Sequence, residues 1–263
     1  MKRHLKLFLL YFAQYTKVRL AYKADFIIAF FSSMAATVLG FGFVLVLFSK
    51  VPRLQDWSFN EIMFLYGFSL IPLGFFNVIS WNLYDFGELY IIEGRFDRVL
   101  LRPVATLFQV AFEKFRLESL QEVLTGAAVV SLAAQRLRLV WHATDLLWLV
   151  LMVLCGAAIY FSVFLILTAV AFWFEDRVGI VPPVFNMLNF GRYPLTIYNV
   201  FIQFLLSWVI PFGFASFYPT THFLGRTAFT PYFHLVPAVG ATFFLLAIFV
   251  WNKGVENYSS TGS

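Results

Sequence analysis

Five runs of the chain contain no charged residue and no histidine, and each is long enough to cross a lipid bilayer. They cover residues 26–49, 62–84, 146–174, 193–221 and 235–252. About 20 apolar residues span the hydrocarbon as a helix, whereas a charge at its centre costs at least ~2.5 kcal/mol. A shorter run, 123–135, reaches full length only with the turns around Glu118 and Glu122. The pattern predicts an all-α membrane protein with six transmembrane helices, at about 26–49, 62–84, 117–135, 146–174, 194–217 and 232–252.

The segment before the first run has the pattern of a helix that lies on a membrane surface. Leu5, Phe8, Leu9 and Phe12 recur at helical spacing and are flanked by basic residues. No convincing small-residue cleavage site follows, as a signal peptide would require. The spacing predicts an amphipathic interfacial helix at about 4–23.

Proline and glycine break the apolar pattern in the last third of the chain. The segment 178–190 contains two adjacent prolines and is either an interfacial helix or the kinked beginning of the fifth span. Between the fifth and last spans, breaks recur through Pro219, Gly225 and Pro231. Broken backbone at membrane depth is tolerated only where it packs in protein or lines a cavity. We therefore expect a re-entrant segment before the last helix.

Basic residues are distributed unevenly between the two sides that six spans define. The segments 1–25 and 85–117 carry most of the 19 lysines and arginines. Arg177, Arg192 and Lys253 are assigned to the same side as these segments. Loops rich in lysine and arginine stay in the cytoplasm, so both termini are predicted to be cytoplasmic and 136–145 to lie outside.

Composition agrees with a membrane protein and limits its partners. Charged residues make up 13% of the chain, against roughly 25% in soluble domains. The net charge of +5 is concentrated at predicted cytoplasmic span ends, which favours contact with anionic membrane lipid and not with nucleic acid. The single cysteine, Cys155, excludes an intramolecular disulfide.

The sequence lacks the motifs of nucleotide hydrolysis and of other recognisable chemistry. No Gly-Lys dipeptide occurs, so there is no P-loop to hold a nucleotide. The four histidines are too separated, and too poorly accompanied by other ligands, to form a metal site. A serine-nucleophile elbow is absent as well. We expect no catalytic residue, metal or cofactor in this chain, and any ATP-driven function must use another chain's nucleotide site.

Lys114, Glu118 and Glu122 are spaced by four residues at the start of the third predicted span. This spacing places them on one face of a helix. One interpretation makes them the polar wall of a substrate entrance, because ionisable groups in a membrane usually face a cavity or a partner. The other is local: carboxylates favour a helix N-terminus and pair with the lysine.

Ser32, Ala36 and Gly40 also recur every four residues and form a stripe of small side chains along the first span. Such a stripe permits close approach of another helix. That helix belongs either to a second subunit or to the same bundle.

Residues 93–104 read EGRFDRVLLRPV. This segment resembles the cytoplasmic loop of ABC-2-type transporter permeases, in which a G-x-hydrophobic-D-x-x-L-x-R-P pattern recurs. Two later stretches, 190–198 and 210–219, look like segments typical of one bacterial branch of that family. Their order and spacing agree with it, so the resemblance covers essentially the whole chain.

The resemblance implies a half-transporter of six helices, formed as one permease domain over residues 1–263. It further implies pairing with a second permease chain, identical or a sister protein, in a bacterial inner membrane. Two cytoplasmic ATPase subunits would bind ATP and Mg²⁺, usually for export. The leading alternative is an ATP-independent channel or secondary carrier, which should display charged or polar residues near mid-membrane.

The segment 93–104, here called the coupling segment, is implied by the resemblance to contact the ATPase. Phe96 and Leu100 are spaced to share a helical face, and the charged side chains around them can make polar contacts. The basic residues also satisfy the topology rule without any partner. The expected coupling residues are Glu93, Gly94, Arg95, Phe96, Asp97, Arg98, Leu100, Arg102 and Pro103.

Overall fold

The computed structural model describes residues 2–174 and 179–260, and its regular elements there are all helical. Arg177, assigned above to the cytoplasmic side, lies outside the described residues. The α-helices are α1 Lys2–Ala21, α2 Lys23–Lys50, α3 Phe59–Ser80, α4 Phe96–Leu100, α5 Thr106–Phe112, α6 Leu120–Arg136, α7 Ala143–Ala169, α8 Ala171–Phe174, α9 Val181–Met187, α10 Val200–Phe204, α11 Phe212–Ala215, α12 Phe217–Phe223 and α13 Thr230–Asn257. Short 3-10 or π-helical turns extend α3, α6, α9, α10 and α13.

In the described ranges, five helical stretches are long and apolar enough to cross a membrane. They are Lys23–Lys50, Phe59–Ile92, Leu117–Arg136, Ala143–Phe174 and Thr227–Asn257. Each contains one of the predicted spans. A sixth stretch passes the same test only as a bent pair, Val200–Val209 and Phe212–Phe223.

The helix bundle has two ends, and its connections divide between them. The terminal end holds α1, the segment 85–117 and the end of α13: the ring of Phe8 packs on Phe112, and that of Tyr258 on Phe96. The far end holds the connections 51–58, 137–142 and 224–226. Both described chain ends therefore lie at the same end of the bundle.

The fifth predicted span, 194–217, is not one helix. Val200–Val209 and Phe212–Phe223 meet at an angle of 70°, because the chain breaks at Pro211, which cannot donate a backbone hydrogen bond. The ring of Phe212 reaches Tyr160 and Phe164, well along α7 from its far-end start. The ring of Phe223 is back at the far end, against Trp141. The pair thus enters the bundle and returns to the end from which it came.

The segment that crosses the full length of the bundle is instead 181–197, here called the traverse. At the terminal end, the ring of Phe185 on α9 packs on Trp81 and Tyr84. At the far end, Trp57 Nε1 donates to Thr196 Oγ1 at 2.9 Å. Two interpretations of 178–190 were open, an interfacial helix and the kinked beginning of a span. The contacts favour the second, because the segment continues along the bundle. Its short helices, broken by prolines, are not a continuous α-helix, so the hydrophobic pattern alone does not single it out.

The core is centred on α3, which packs closely against α6. A Cβ atom on Gly126 would lie 2.6 Å from the carbonyl oxygen of Gly67, and one on Gly74 would lie 2.7 Å from Val123. Glycine is required where two helices approach so closely. At its start, α3 is fixed by Ser58, whose backbone N–H donates to the Glu61 carboxylate at 2.9 Å in a capping box.

Candidate functional site

The coupling segment forms a short helix at the terminal end, and one of its faces belongs to the core. Gly94 has φ +69°, a left-handed conformation that favours glycine, and it turns the chain into α4. Phe96 is completely buried among aromatic rings, with Tyr258 at 4.9 Å and Phe86 at 5.8 Å between ring centroids. The side chain of Gln109 closes the loop by donating to the carbonyls of Val99 and Val104.

The other face of the coupling segment is exposed. Leu100 is 45% exposed and Leu101, which the sequence did not single out, is 85% exposed. Phe96 and Leu100 therefore do not present one face to a partner, because Phe96 is an anchor in the core. Glu93 and Arg95 form an exposed ion pair at 2.8 Å. The remaining exposed side chains of the segment are those of Arg98, Arg102 and Pro103.

Asp97 is held within the chain by residues that follow α13. Tyr258 donates its hydroxyl to one carboxylate oxygen of Asp97 at 3.0 Å, and Ser260 donates to the other at 2.8 Å. Burial, together with this bond, raises the pKa of Tyr258 to about 12, so its hydroxyl remains a donor at neutral pH. The family resemblance implied a charged contact of Asp97 with a partner, whereas the contact found joins α4 to the residues that follow the last helix.

A second candidate site is a cavity of about 590 Å³, here called the vestibule. It lies between α2, α3, the start of α6 and the traverse 181–197. Its polar and charged lining residues are Ser32, Ser33, Thr37, Asn77, Arg116, Glu122, Asn186, Asn189 and Arg192. A polar cavity inside an apolar helix bundle is a default functional-site hypothesis.

Glu122 lies in the wall of the vestibule and is 9% exposed. Its carboxylate accepts a hydrogen bond from Asn77 Nδ2 at 2.8 Å. Next to it, Gln121 donates to Ser33 and Thr37, which ties α6 to α2. Of the three residues predicted at a substrate entrance, Glu122 is the one that lines this cavity.

Glu118 and Lys114 are placed differently from the prediction. Glu118 is buried, and its Oε1 pairs with Arg19 of α1 at 3.3 Å and with Arg116 at 3.6 Å. Lys114 lies in the non-helical stretch between α5 and the turn at 117–119. It therefore shares no helical face with the two glutamates, because the helix begins only after it.

The small-residue stripe of α2 faces the vestibule. Ser32 and Ala36 are exposed and line the cavity, as Gly40 does. A Cβ atom on Gly40 would lie 2.7 Å from the hydroxyl of Tyr66 on α3. The stripe thus meets the chain's own bundle at Gly40 and leaves its other two members open.

Sequence reasoning assigned Arg192 to the cytoplasmic side of the membrane. In the structure its guanidinium lies 5.6 Å from the ring of Tyr66, two turns into α3 from the far end. The available signal was a lone arginine within a long apolar stretch broken by prolines. The sequence analysis treated Arg192 as a loop residue because it placed the fifth span at 194–217, after this arginine.

Residues 32–262 match the sequence model of a family described as ABC-2 family transporter protein. No curated protein sequence and no solved structure gives a significant match to the chain. The family match covers the coupling segment and the polar and charged residues that line the vestibule.

Proposed function

The chain belongs to the ABC-2 family of transporter proteins, and on that premise we propose that it is a permease subunit whose pathway is driven by separate ATPase subunits. A second permease chain completes the pathway, with export as the expected direction. ATP and Mg²⁺ are bound by the ATPase subunits. The observation that carries this proposal is the coupling segment, which joins an exposed face of leucine and arginine to an aromatic core anchor.

The proposed membrane arrangement follows from the two ends of the bundle. The terminal end, rich in basic residues, faces the cytoplasm of a bacterial inner membrane, and α1 lies along that surface. α2, α3, α6, α7, the traverse 181–197 and α13 each cross the bilayer. The bent pair 200–223 is the re-entrant segment before the last helix, and it enters from the outside. Its backbone is tolerated at that depth because it packs against α7.

Energy transfer is proposed to pass through α4 into the last helix. An ATPase subunit that contacts Leu100, Leu101 and Arg102 would push on a segment whose opposite face carries Phe96. Phe96 packs on Trp251 of α13 with centroids 6.2 Å apart, and Asp97 is bonded to Tyr258 just beyond α13. Movement of α4 therefore moves the end of α13.

The second permease chain is proposed to cover the open side of the vestibule. Ser32 and Ala36 leave room there for a helix from a partner, as small residues do in membrane interfaces. The vestibule would then be one half of the pathway, with Glu122 in the wall of its entrance.

The test of this proposal is charge reversal on the exposed face of the coupling segment. We expect Arg102→Glu to leave the protein inserted in the membrane but to lower copurification of the cognate ATPase by more than tenfold. Losing a charge partner that is buried and hydrogen-bonded in the interface typically costs about 2–5 kcal/mol, and a tenfold loss requires only about 1.4 kcal/mol. The matched control is Arg136→Glu, because Arg136 is an exposed arginine at the last residue of α6, at the far end of the bundle.

An ATP-independent carrier is the second candidate, and the vestibule is the observation that favours it. Glu122 and Arg192 supply the charged groups inside the bundle that such a carrier would need. Full ATPase association and ATP-dependent transport by Arg102→Glu would refute the coupling assignment. Transport by the purified chain alone, without ATP, would establish the carrier.

A further inference from the structure

Two buried polar atoms in the wall of the vestibule lack a hydrogen-bond partner among the described residues. One is the donor Nε of Arg192, and the other is the acceptor Oδ1 of Asn77. Asn77 is 4% exposed, and its Nδ2 is already committed to Glu122. A buried polar group without a partner costs roughly 1–3 kcal/mol, more if it is charged. Both atoms are therefore places where a ligand can bind favourably.

The two groups lie at different depths. Arg192 is level with Tyr66 on α3, as its cation–π contact shows. The backbone of Asn77 lies on the same helix, about 16 Å beyond that of Tyr66 at 1.5 Å per residue. Arg116, with its guanidinium 4.0 Å above the ring of Trp81, lies still nearer the terminal end. The vestibule is thus an elongated space that reaches from the terminal end to Arg192.

The charges along the vestibule determine which part of a ligand binds at each depth. Within the described residues, Arg192 has no carboxylate within ion-pair distance, whereas Arg116 is next to Glu118 at 3.6 Å. The carboxylate of Glu122 is within electrostatic range of Arg192 but forms no close ion pair with it among the described residues, and an arginine inside an apolar bundle without a close ion-pair partner favours an anion. At the depth of Asn77 the carboxylate of Glu122 repels an anion and accepts hydrogen bonds from hydroxyl groups. The anionic part of a ligand is therefore favoured at Arg192, and its hydroxyl-bearing part at Asn77 and Glu122.

We propose that the vestibule binds an elongated anionic polyol, with a phosphate or carboxylate at Arg192 and hydroxyl groups along Asn77 and Glu122. That this ligand is the transported substrate rests on the proposed function. The same chemistry is present in a lipid headgroup and in a water-soluble sugar phosphate, so the test contains both. Serine and asparagine side chains on the remaining walls provide further neutral hydrogen bonds.

The test measures ligand-dependent thermal stabilisation of the full-length chain in phosphatidylcholine nanodiscs. Trehalose 6-phosphate is the soluble probe, and dihexanoylphosphatidylinositol is the lipid probe. Trehalose lacks the anion, and hexyl phosphate lacks the hydroxyl groups. A ligand that binds only the folded state raises the melting temperature in proportion to its affinity and concentration. We expect at least one of the two probes to bind at least tenfold more tightly than trehalose and several-fold more tightly than hexyl phosphate.

Variants assign the binding to the vestibule. Arg192→Gln should weaken binding of the active probe at least tenfold, Arg192→Lys should retain part of it, and Arg136→Gln should leave it unchanged. Melting temperatures without probe show whether each variant is folded. If Arg192→Gln does not fold, the weaker binding expected of Arg192→Lys is measured in its place. Stabilisation by the sugar phosphate alone identifies a soluble ligand, and stabilisation by the lipid alone identifies a headgroup.

The proposal is overturned if neither probe stabilises the wild-type protein, or if Arg136→Gln weakens binding as much as Arg192→Gln. The first result would mean that water or a partner's carboxylate satisfies Arg192, and the second that binding follows net charge only. Copurification of the ATPase is measured on the same variants. It should be unchanged in all of them, so failure of the ligand site and failure of the permease assignment give different results.

Discussion

α2 and α3 are equally suited by composition to cross a membrane, yet their surroundings are opposite. Of the 18 most apolar consecutive residues, 89% are buried within the chain in the stretch Phe59–Ile92 that begins with α3, against 11% in α2. α3 is enclosed by α6, α7 and the bent pair 200–223, whereas the buried residues of α2 are Thr37 and Val44. Equal hydrophobicity therefore does not imply equal burial in a membrane protein, because lipid accepts an apolar side chain as readily as a core does.

This contrast assigns different tasks to the two helices. The glycines of α3 and α6 are fixed by backbone contact, so that region has no space to change. The exposed length of α2 is covered by lipid or, as proposed, by a second permease chain. Changes in α3 should therefore act on folding, and changes in α2 on assembly.

The largest effect is expected for Gly126→Leu, on the helix that packs against α3. Its Cβ atom alone would lie 2.6 Å from the carbonyl oxygen of Gly67, and overpacking of this kind costs at least about 1–3 kcal/mol. Because the obstacle is backbone, we expect loss of monodisperse protein in detergent, measured by size-exclusion chromatography. Gly42→Leu on α2 is the control, since nothing lies within 4 Å of its Cβ position. Equal loss of monodisperse protein in both variants would contradict the difference in packing between α3 and α2.

An intermediate effect is expected for a matched pair of leucines. Leu65 on α3 is fully buried, and Leu39 on α2 is 75% exposed. Leu65→Ala should lower the free energy of unfolding by about 2–5 kcal/mol, because it leaves a cavity among packed side chains. Leu39→Ala should change it by less than about 0.5 kcal/mol, because lipid chains refill the space. Unfolding in a denaturing detergent measures both, and a large loss at Leu39 would reveal a protein contact on α2.

The smallest effect is expected at the terminal end, for Tyr258→Phe. The change removes the hydroxyl that donates to Asp97 and keeps the ring on Phe96. We expect a loss of stability of about 1.5 kcal/mol, the lower end of the net contribution of a hydrogen bond to a charged group. Amide hydrogen exchange should rise in α4 and remain unchanged in α3. Unchanged exchange in α4 would mean that the aromatic contacts alone hold the coupling segment.

Much of this architecture could be predicted from sequence because a bilayer imposes length and apolarity on every helix that crosses it. The ranges of α2, α3, α7 and α13 follow from uncharged runs, and that of α6 follows from a shorter run extended by its polar first turns. The pattern is ambiguous at 181–223, where prolines replace one long helix with short ones. Two alternative paths then have the same composition, and only contacts such as Trp57 with Thr196 distinguish them.

For the candidate sites, the sequence determined the residue types and the tertiary structure decided their surroundings. The motif at 93–104 and the polar start of the third span were visible in the sequence. Whether Phe96 faces a partner or the core depends on rings brought from α8 and α13.

Taken by itself, the sequence determined the class of protein, its family pattern and five of its long helices, because these depend on local composition and spacing. Only the tertiary structure decided that Arg192 lies beside Tyr66, that Asp97 is bonded to Tyr258 and that α3 is buried where α2 is not. The physical reason is that these facts depend on which distant segments meet. In a membrane, lipid and protein interiors are both apolar, so hydrophobicity does not determine which segments pack together. Close packing and paired polar groups determine it instead.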